Sequence, residues 1–316
     1  MTEKIHSGWY LAAFASGLDG EVAPLAIGAR RLVAVRTEGR LRVYDADCPH
    51  RGAHLGHGGR VEGGCLVCPF HGRRIGMGES SGEGSRPWVR EHEVVECGDA
   101  VFVRLTDGPD DDRGLRTVLK AVAESMPLVK AVEQAVDAPA EIIVENAFDI
   151  EHFRAVHKVS RVCGMKHSTG AHGELVMDGE FPMPMSPWRP GLGADAPDNG
   201  PYVPRFHARA YSPGVVVTEF GPSDEVHVIV TGAVPDGRGG CVVRVALGVL
   251  AGLEDQLPQL VAGSERAVAE DVVVWENLNP RITPRFDAAD AAVVAYREFC
   301  AGFAGLGDLP VGGEAL

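Results

Sequence analysis

Two short loops, Cys48-Pro49-His50 and Cys68-Pro69-Phe70-His71, each carry one cysteine and one histidine. A fold that uses all four at one centre must bring together loops separated by 17 intervening residues. The stretch from Cys48 to Gly72 also contains Cys65, His54 and His57, so a selection has to be made. Cys65 and Cys68 form a C-x-x-C pair, a spacing that suggests zinc. Two thiolates and two imidazoles can bind tetrahedral zinc, or a [2Fe–2S] cluster with both histidines on one iron. Zinc-finger spacing keeps cysteines with cysteines and histidines with histidines. Here each loop supplies one of each, which suits the cluster better. Pro49 and Pro69 stiffen both loops, and glycines such as Gly52 and Gly72 let the backbone turn closely around sulfur. On this reading Cys65 is a structural thiol on the strand entering the second loop. His54 and His57 are surface loop residues.

The surrounding residues predict a small antiparallel β domain. "LAIGARRLVAVRTEGRLRVYDA" alternates apolar and polar positions and predicts three short strands, with a tight turn at Glu38-Gly39. "EHEVVECGDAVFVRL" predicts a hairpin turning at Gly98-Asp99. A polar linker, "DGPDDDRG", follows, which divides the chain into domains at 1–110 and 115–316. In the second domain "EIIVENAFDIEHFRAVHK" predicts a short strand entering a helix. Strand-like runs follow at Glu174–Phe181, Arg205–Tyr211, Val215–Phe220, Glu225–Val234 and Cys241–Leu250. A Pro- and Gly-rich segment, 182–204, with Trp188, is long enough to line or cover a pocket. Helices are expected over Pro258–Leu278 and Ala288–Phe299. The pattern is α+β, an antiparallel sheet gripping a long helix.

A second donor set lies in that domain. Asp149 and His152 are i,i+3 and share a helical face, whereas His152 and His157 are roughly 140° apart on an ideal helix. Both histidines reach one ion only if the helix widens or ends between them. On the long helix Asp271 shares an apolar stripe with Val268, Trp275 and Leu278, where an unpaired carboxylate is expensive. A metal would explain it, and two histidines with one carboxylate form the facial triad of non-haem Fe(II). Glu270 sits about 100° round the helix, and Glu276 is a weaker competitor.

The motif C-P-H-R-G-A-x-L followed by C-P-x-H-G resembles the Rieske domain of Rieske non-haem iron oxygenases, and the opening "GWYLAAF" is similar to their start. Arg73 and Arg74 stand where that family commonly has Trp. E-N-x-x-D-x-x-H-x-x-x-x-H and the later E-D-x-x-x-W-E-N resemble the catalytic domain of the same enzymes, most like the 3-ketosteroid 9α-hydroxylase-like branch. The resemblance implies an N-terminal all-β Rieske [2Fe–2S] domain held by Cys48, His50, Cys68 and His71, and a C-terminal helix-grip catalytic domain. It also implies mononuclear Fe(II) on His152, His157 and Asp271, with O2 as co-substrate. Asp149 would bridge the iron site to a Rieske histidine of an adjacent subunit in a head-to-tail homotrimer. Asn146 would lie near the iron.

The expected activity is O2-dependent hydroxylation of a hydrophobic polycyclic, steroid-like or natural-product substrate. No G-x-G-x-x-G loop or plant-type ferredoxin cysteine set is seen, so a ferredoxin, a ferredoxin reductase or both are expected partners. Arg51, Arg73 and Arg74 are candidates for docking them. A net charge of −14 argues against nucleic acid and anionic membrane surfaces as partners. With no long apolar run and no signal-like N-terminus, the expected location is cytoplasmic. Seven cysteines, three of them clustered, do not form a secreted disulfide pattern. Two other classes compete: an electron-transfer or redox-sensing protein with a ligand-binding C-terminal domain, and a zinc-binding structural module.

Overall fold

The computed structural model describes residues 5–306 except 79–86, 107, 109–110, 183–202, 223–225 and 280. Trp188 and nearly all of the 182–204 segment lie outside the described residues.

Strand β1 spans Gly8–Phe14 and is followed by β2 Val22–Ile27, β3 Arg30–Thr37 and β4 Arg40–Asp45. Glu38 and Gly39, both at positive φ (52° and 75°), form the two-residue turn that pairs Thr37 with Arg40. Two left-handed residues match the natural twist of the strands they join. Short strands β5 Arg60–Glu62, β6 Cys65–Val67, β7 Arg74–Met77 and β8 Trp88–Val89 form a separate four-stranded sheet that carries the Cys/His loops. Strands β9 Glu91–Cys97 and β10 Ala100–Leu105 return the chain to the first sheet, whose order is β1-β10-β9-β4-β3-β2. Gly98 in the β9–β10 turn has φ 59°, and a Cβ there would stand 2.2 Å from the carbonyl oxygen of Leu128. That close approach lets Asp99 donate its N–H to Leu128 at 2.7 Å.

All seven residues of β1 are buried, because the strand is covered on both faces. Trp9 and Leu11 pack with Tyr211, Val217 and Val230 of the second domain, while Tyr10 and Ala12 pack with Ile27, Leu32 and Val103 of the first.

The second domain begins with α1 Leu115–Ser125 and β11 Val129–Val136. Helix α2 Ala140–Glu145, a 3₁₀ turn at Asn146–Phe148 and helix α3 Ile150–Ala155 come next. Strands β12 Cys163–Thr169, β13 Leu175–Glu180, β14 Arg205–Ser212, β15 Val215–Gly221, β16 His227–Pro235 and β17 Cys241–Val249 complete an antiparallel seven-stranded sheet, ordered β11-β17-β16-β15-β14-β13-β12. The long helix α4 Leu257–Trp275 lies over β11 and β17, and α5 Ala291–Ala301 follows it. The architecture is α+β: an all-β domain joined to a large antiparallel sheet with helices.

Alternation along β15–β17 divides this sheet cleanly. Val215, Val217, Val228, Val230 and Ala246 face β1 and α1, whereas Val216, Phe220, Ile229, Val243, Val245 and Leu247 face the helices.

Four expectations need correction. "EIIVE" is helix, not strand: Ile143 and Val144 are buried against the sheet beneath, and that packing overrides β-branched propensity. The long helix ends at Trp275, so Leu278 lies beyond it and is 52% exposed rather than part of the buried stripe. The acidic stretch 107–114 is more than a linker. Asp111 is buried against the Arg104 guanidinium at 2.6 Å, and Asp112 accepts the Trp9 indole N–H at 2.7 Å. Finally, His54 is half-buried. Its Nδ1 accepts the Gly56 N–H at 3.0 Å, and burial lowers its pKa to about 4. His57 is exposed.

Candidate metal centres and substrate cavity

The two Cys/His loops are built alike. In each, the cysteine carbonyl accepts the N–H of a glycine four residues on: Gly52 to Cys48 at 2.8 Å, and Gly72 to Cys68 at 2.9 Å. Both glycines take positive φ, 68° and 65°. The loops differ in which interior position carries histidine. Cys48 and Cys68 are each 2% exposed, while His50 is half-buried and His71 is exposed. The imidazole rings of His50 and His71 lie 4.9 Å apart. Burial raises the Cys48 pKa and the Cys68 thiol beside it adds to the effect, whereas N–H groups of His50 and Arg51 lower it.

This donor set fits a [2Fe–2S] cluster with sulfur ligands inside and imidazoles outside. It does not fit one tetrahedral ion. Among the described residues only His152, His157 and Asp271 offer three ligand atoms all within 4.8 Å of one another. Cys65 lies on β6, paired with Gly76, and points to no role in a single-ion C-x-x-C site. Around the loops, the Arg51 guanidinium stacks on Phe70 at 5.5 Å, and Arg74 donates to the Glu62 carbonyl at 2.7 Å. Arg73 is exposed.

The second donor set depends on where a helix stops. Asp149 caps α3: its Oδ1 accepts the N–H groups of Glu151 and His152 at 3.1 and 3.2 Å. The helix ends at Ala155, before His157, which frees the chain to turn His157 back toward His152; their rings lie 5.0 Å apart. The Asp149 carbonyl bonds His152 Nδ1 at 2.6 Å, so Nδ1 carries the proton and Nε2 is left to coordinate. Burial lowers the His152 pKa, outweighing the Asp149 carbonyl and the Asp271 carboxylate, which raise it. A neutral imidazole is the form that binds metal.

His157 sits between two carboxylates. Its Nδ1 is 2.9 Å from Glu270 Oε2, and its Nε2 is 3.4 Å from Asp271 Oδ1. Burial by itself lowers the His157 pKa, but hydrogen bonds to Asp271 and Glu270 outweigh it and the net shift is upward. Asp271 is buried beside Val268 and Trp275 on α4. Two ligands each about 2.1 Å from one ion stand about 3 to 3.5 Å apart, the observed His157–Asp271 separation. This His/His/Asp group is consistent with a mononuclear iron site.

The group opens onto a cavity of about 750 Å³ whose described lining residues fall between Ile143 and Trp275. Phe153, Phe181, Phe206 and Phe220 make an aromatic wall, with Phe181 and Phe206 stacked at 5.1 Å. Asn146, from the 3₁₀ turn, lines the cavity with His152, His157 and Asp271. Asp149 does not line it.

Sequence reasoning placed Glu270 only as a competitor for the ligand role. The structure makes it the partner of His157's outer nitrogen, and its position next to Asp271 was the available signal. His227 and Thr218, polar residues in the cavity wall, were hidden inside strand patterns.

An all-β domain with two Cys/His loops, joined to a sheet-and-helix domain with a His/His/Asp group over an apolar cavity, offers the donor sets of a two-centre iron protein. Residues 8–90 match the Rieske [2Fe–2S] domain family. The chain is 31% identical to cholesterol 7-desaturase nvd of Xenopus laevis over 172 residues, covering 50% of this chain and 37% of that protein. It is thus matched to well under half of the length of these desaturase relatives. Aminopyrrolnitrin oxygenase PrnD of Pseudomonas fluorescens is 24% identical over 345 residues, covering 96% of this chain and 92% of that one. The crystal structure of dicamba monooxygenase bound to dicamba superposes with TM-score 0.67 at 20% identity, over 94% of this chain and 96% of that chain. The chain contains a Rieske [2Fe–2S] domain, is similar in sequence to these desaturase and oxygenase relatives, and shares the fold of dicamba monooxygenase. No helix among the described residues is long and apolar enough to cross a membrane.

Proposed function

We propose that the chain is the terminal component of a Rieske-type monooxygenase that hydroxylates a hydrophobic, ring-bearing substrate. The observation that carries this is the placement of the His152, His157 and Asp271 ligand atoms, all within 4.8 Å, on the wall of a mostly apolar cavity. A Rieske-type electron carrier has no use for that combination. In this reading the domains divide at 1–110 and 115–316, and the chain falls in the 3-ketosteroid 9α-hydroxylase-like branch. When bound, a Rieske cluster relays single electrons and an Fe(II) triad activates O2 for attack on a C–H bond.

The chain's own residues do the rest. Cys48 and Cys68 would hold a cluster from the buried side, and His50 and His71 from the side nearer solvent. His152 and His157 bind through Nε2, each oriented at Nδ1 by the Asp149 carbonyl and by Glu270 respectively. Asp271 supplies the carboxylate. The aromatic wall excludes water and lays a flat substrate across the site, with Asn146 beside it. In this reading the electrons come from a second copy of the chain. Asp149, whose carbonyl holds His152, would lie on that electron path, in a homotrimer supplied by a ferredoxin and its reductase. The exposed side chains of Phe70, Val273 and Ile282 provide apolar surface for such an assembly. Arg51 and Arg73 are the exposed cations near the cluster loops for an acidic ferredoxin; Arg74 is already engaged by Glu62.

The test is substrate-dependent O2 uptake by the iron-loaded protein with a ferredoxin and reductase, across a panel of polycyclic compounds, with oxygenated product identified by mass. Product retained after Asp271→Asn would remove the triad from the reaction. Rapid cluster reduction without O2 uptake on any substrate would favour the electron-transfer reading.

A further inference from the structure

The cavity has two chemically different walls. Its charged lining residues, Lys158, Arg266 and Asp271, come from α4 and the segment after α3. Among the described residues the strand wall has no charged member. It is formed by Val216, Thr218 and Phe220 of β15, His227, Ile229 and Thr231 of β16, and Val243, Val245 and Leu247 of β17.

Within that apolar wall His227 is 6% exposed and Thr218 is 7% exposed. Neither side chain has a hydrogen-bond partner among the described residues. The His227 ring meets Phe220 edge-on, at 5.6 Å and 67°. In the β15–β16 register Phe220 pairs with His227 and Thr218 with Ile229, so Thr218 and His227 are diagonal neighbours on the same face. Such neighbours lie about 7 to 8 Å apart at Cα, which allows one group between them to be reached from both.

A buried polar side chain is normally satisfied, and leaving one without a partner costs stability. Two adjacent ones, both on the wall of a cavity, are donors and acceptors held ready for something that enters it. Burial lowers the His227 pKa to about 4, with no charged neighbour contributing, so the imidazole is neutral near pH 7. It therefore offers one donor and one acceptor and no charge.

We propose that His227, with Thr218 beside it, anchors an uncharged hydroxyl or carbonyl group of an otherwise apolar, ring-bearing substrate. The anchor stands on the strand wall, whereas the triad stands on the helical side. A rigid molecule gripped at one end by His227 presents a fixed distant carbon to the triad. His227 is a specificity-determining residue in this scheme. The proposal rests on the oxygenase reading for its reactive end but concerns binding alone.

The experiment measures equilibrium binding of three probes, pyrene, 1-hydroxypyrene and 1-pyrenecarboxylate, to the metal-loaded protein by fluorescence, without O2 or reductant. Wild-type protein is expected to prefer 1-hydroxypyrene over pyrene by about 5- to 10-fold, the worth of a buried neutral hydrogen bond or slightly more. His227→Leu should abolish the preference, and Thr218→Val should reduce it. Intact visible spectra and melting temperatures in the variants establish that they fold. A hydroxyl preference that survives His227→Leu overturns the proposal. So does tightest binding of the carboxylate, or no binding of any probe. Because turnover is not read, failure of the oxygen chemistry would leave these affinities unaffected.

Discussion

His157 is held from both sides by one helix: Glu270 Oε2 lies 2.9 Å from its Nδ1, and the adjacent Asp271 places Oδ1 3.4 Å from its Nε2. Consecutive residues on α4 thus orient the imidazole and would complete a ligand set around one ion. Partners of a ligand's outer nitrogen typically carry 10- to 100-fold in metal affinity. Glu270→Leu should weaken Fe(II) binding by about that factor, read by titration with a chromophoric chelator, while the cluster's visible spectrum stays unchanged. Glu270→Gln, which keeps an acceptor oxygen, should recover part of the loss. Equal iron affinity in all three proteins would assign Glu270 no role at the site.

Iron counting separates the two centres. The loaded wild-type protein should contain about three irons per chain, two in the cluster and one at the triad. His152→Ala should hold about two, with acid-labile sulfide retained. Zinc without sulfide in the wild type would overturn the Rieske assignment for these four ligands.

Cys65 and Cys68 provide a sharper contrast. Both are buried and only two residues lie between them, yet only Cys68 is expected to hold the cluster. Cys65→Ala should keep the cluster absorption and lose at most about 1 kcal/mol of stability, as for a small buried truncation. Cys68→Ala should give colourless protein. Loss of colour in both variants would revive the C-x-x-C reading.

Asp149→Asn is a clean probe of electron transfer because Asn caps a helix nearly as well as Asp. The caps to Glu151 and His152 should persist, and so should the carbonyl bond to His152, which the backbone supplies. Both metals should remain, and product per electron consumed should fall sharply. Normal coupled turnover in this variant would take Asp149 out of the path.

The buried His227 makes a prediction about pH. The unfolded chain protonates this residue near 6.5, whereas the folded chain does so only near 4. Between those values the unfolded state binds more protons, so stability falls as the pH is lowered through that window. The full effect is on the order of 3 kcal/mol. His227→Phe should flatten the acid limb of a denaturant-stability profile between pH 6.5 and 4. Some slope will remain, because burial holds His54 low in the same way. An unchanged limb would mean that His227 is not buried as a neutral ring.

Much of this was legible before the structure because the relevant rules are local. Glu38-Gly39 reads as a two-residue turn, and the alternating runs that became β13 to β17 read as strands. The Cys/His loops read as a cluster because ligand order along the chain differs from that of a zinc finger. Asp271 stood out as a carboxylate on an apolar stripe. Other features depend on contacts distant in sequence. The "EIIVE" run has the residues of a strand and becomes helix only because the sheet beneath it buries Ile143 and Val144. Asp111 and Asp112 look like linker until Arg104 and Trp9 are seen beside them. His227 in "EVHVIVTGAV" is a polar residue in an otherwise mostly apolar strand, and nothing in its neighbours reveals that it faces the cavity.

The division of the seven-stranded sheet has an evolutionary consequence. Along β16 the residues at 227, 229 and 231 line the cavity, while those at 228 and 230 pack toward the Rieske domain. Selection for a new substrate can therefore act on every second position without touching the joint between the two halves. A lineage built on this sheet could diversify its chemistry while its wiring stays constant.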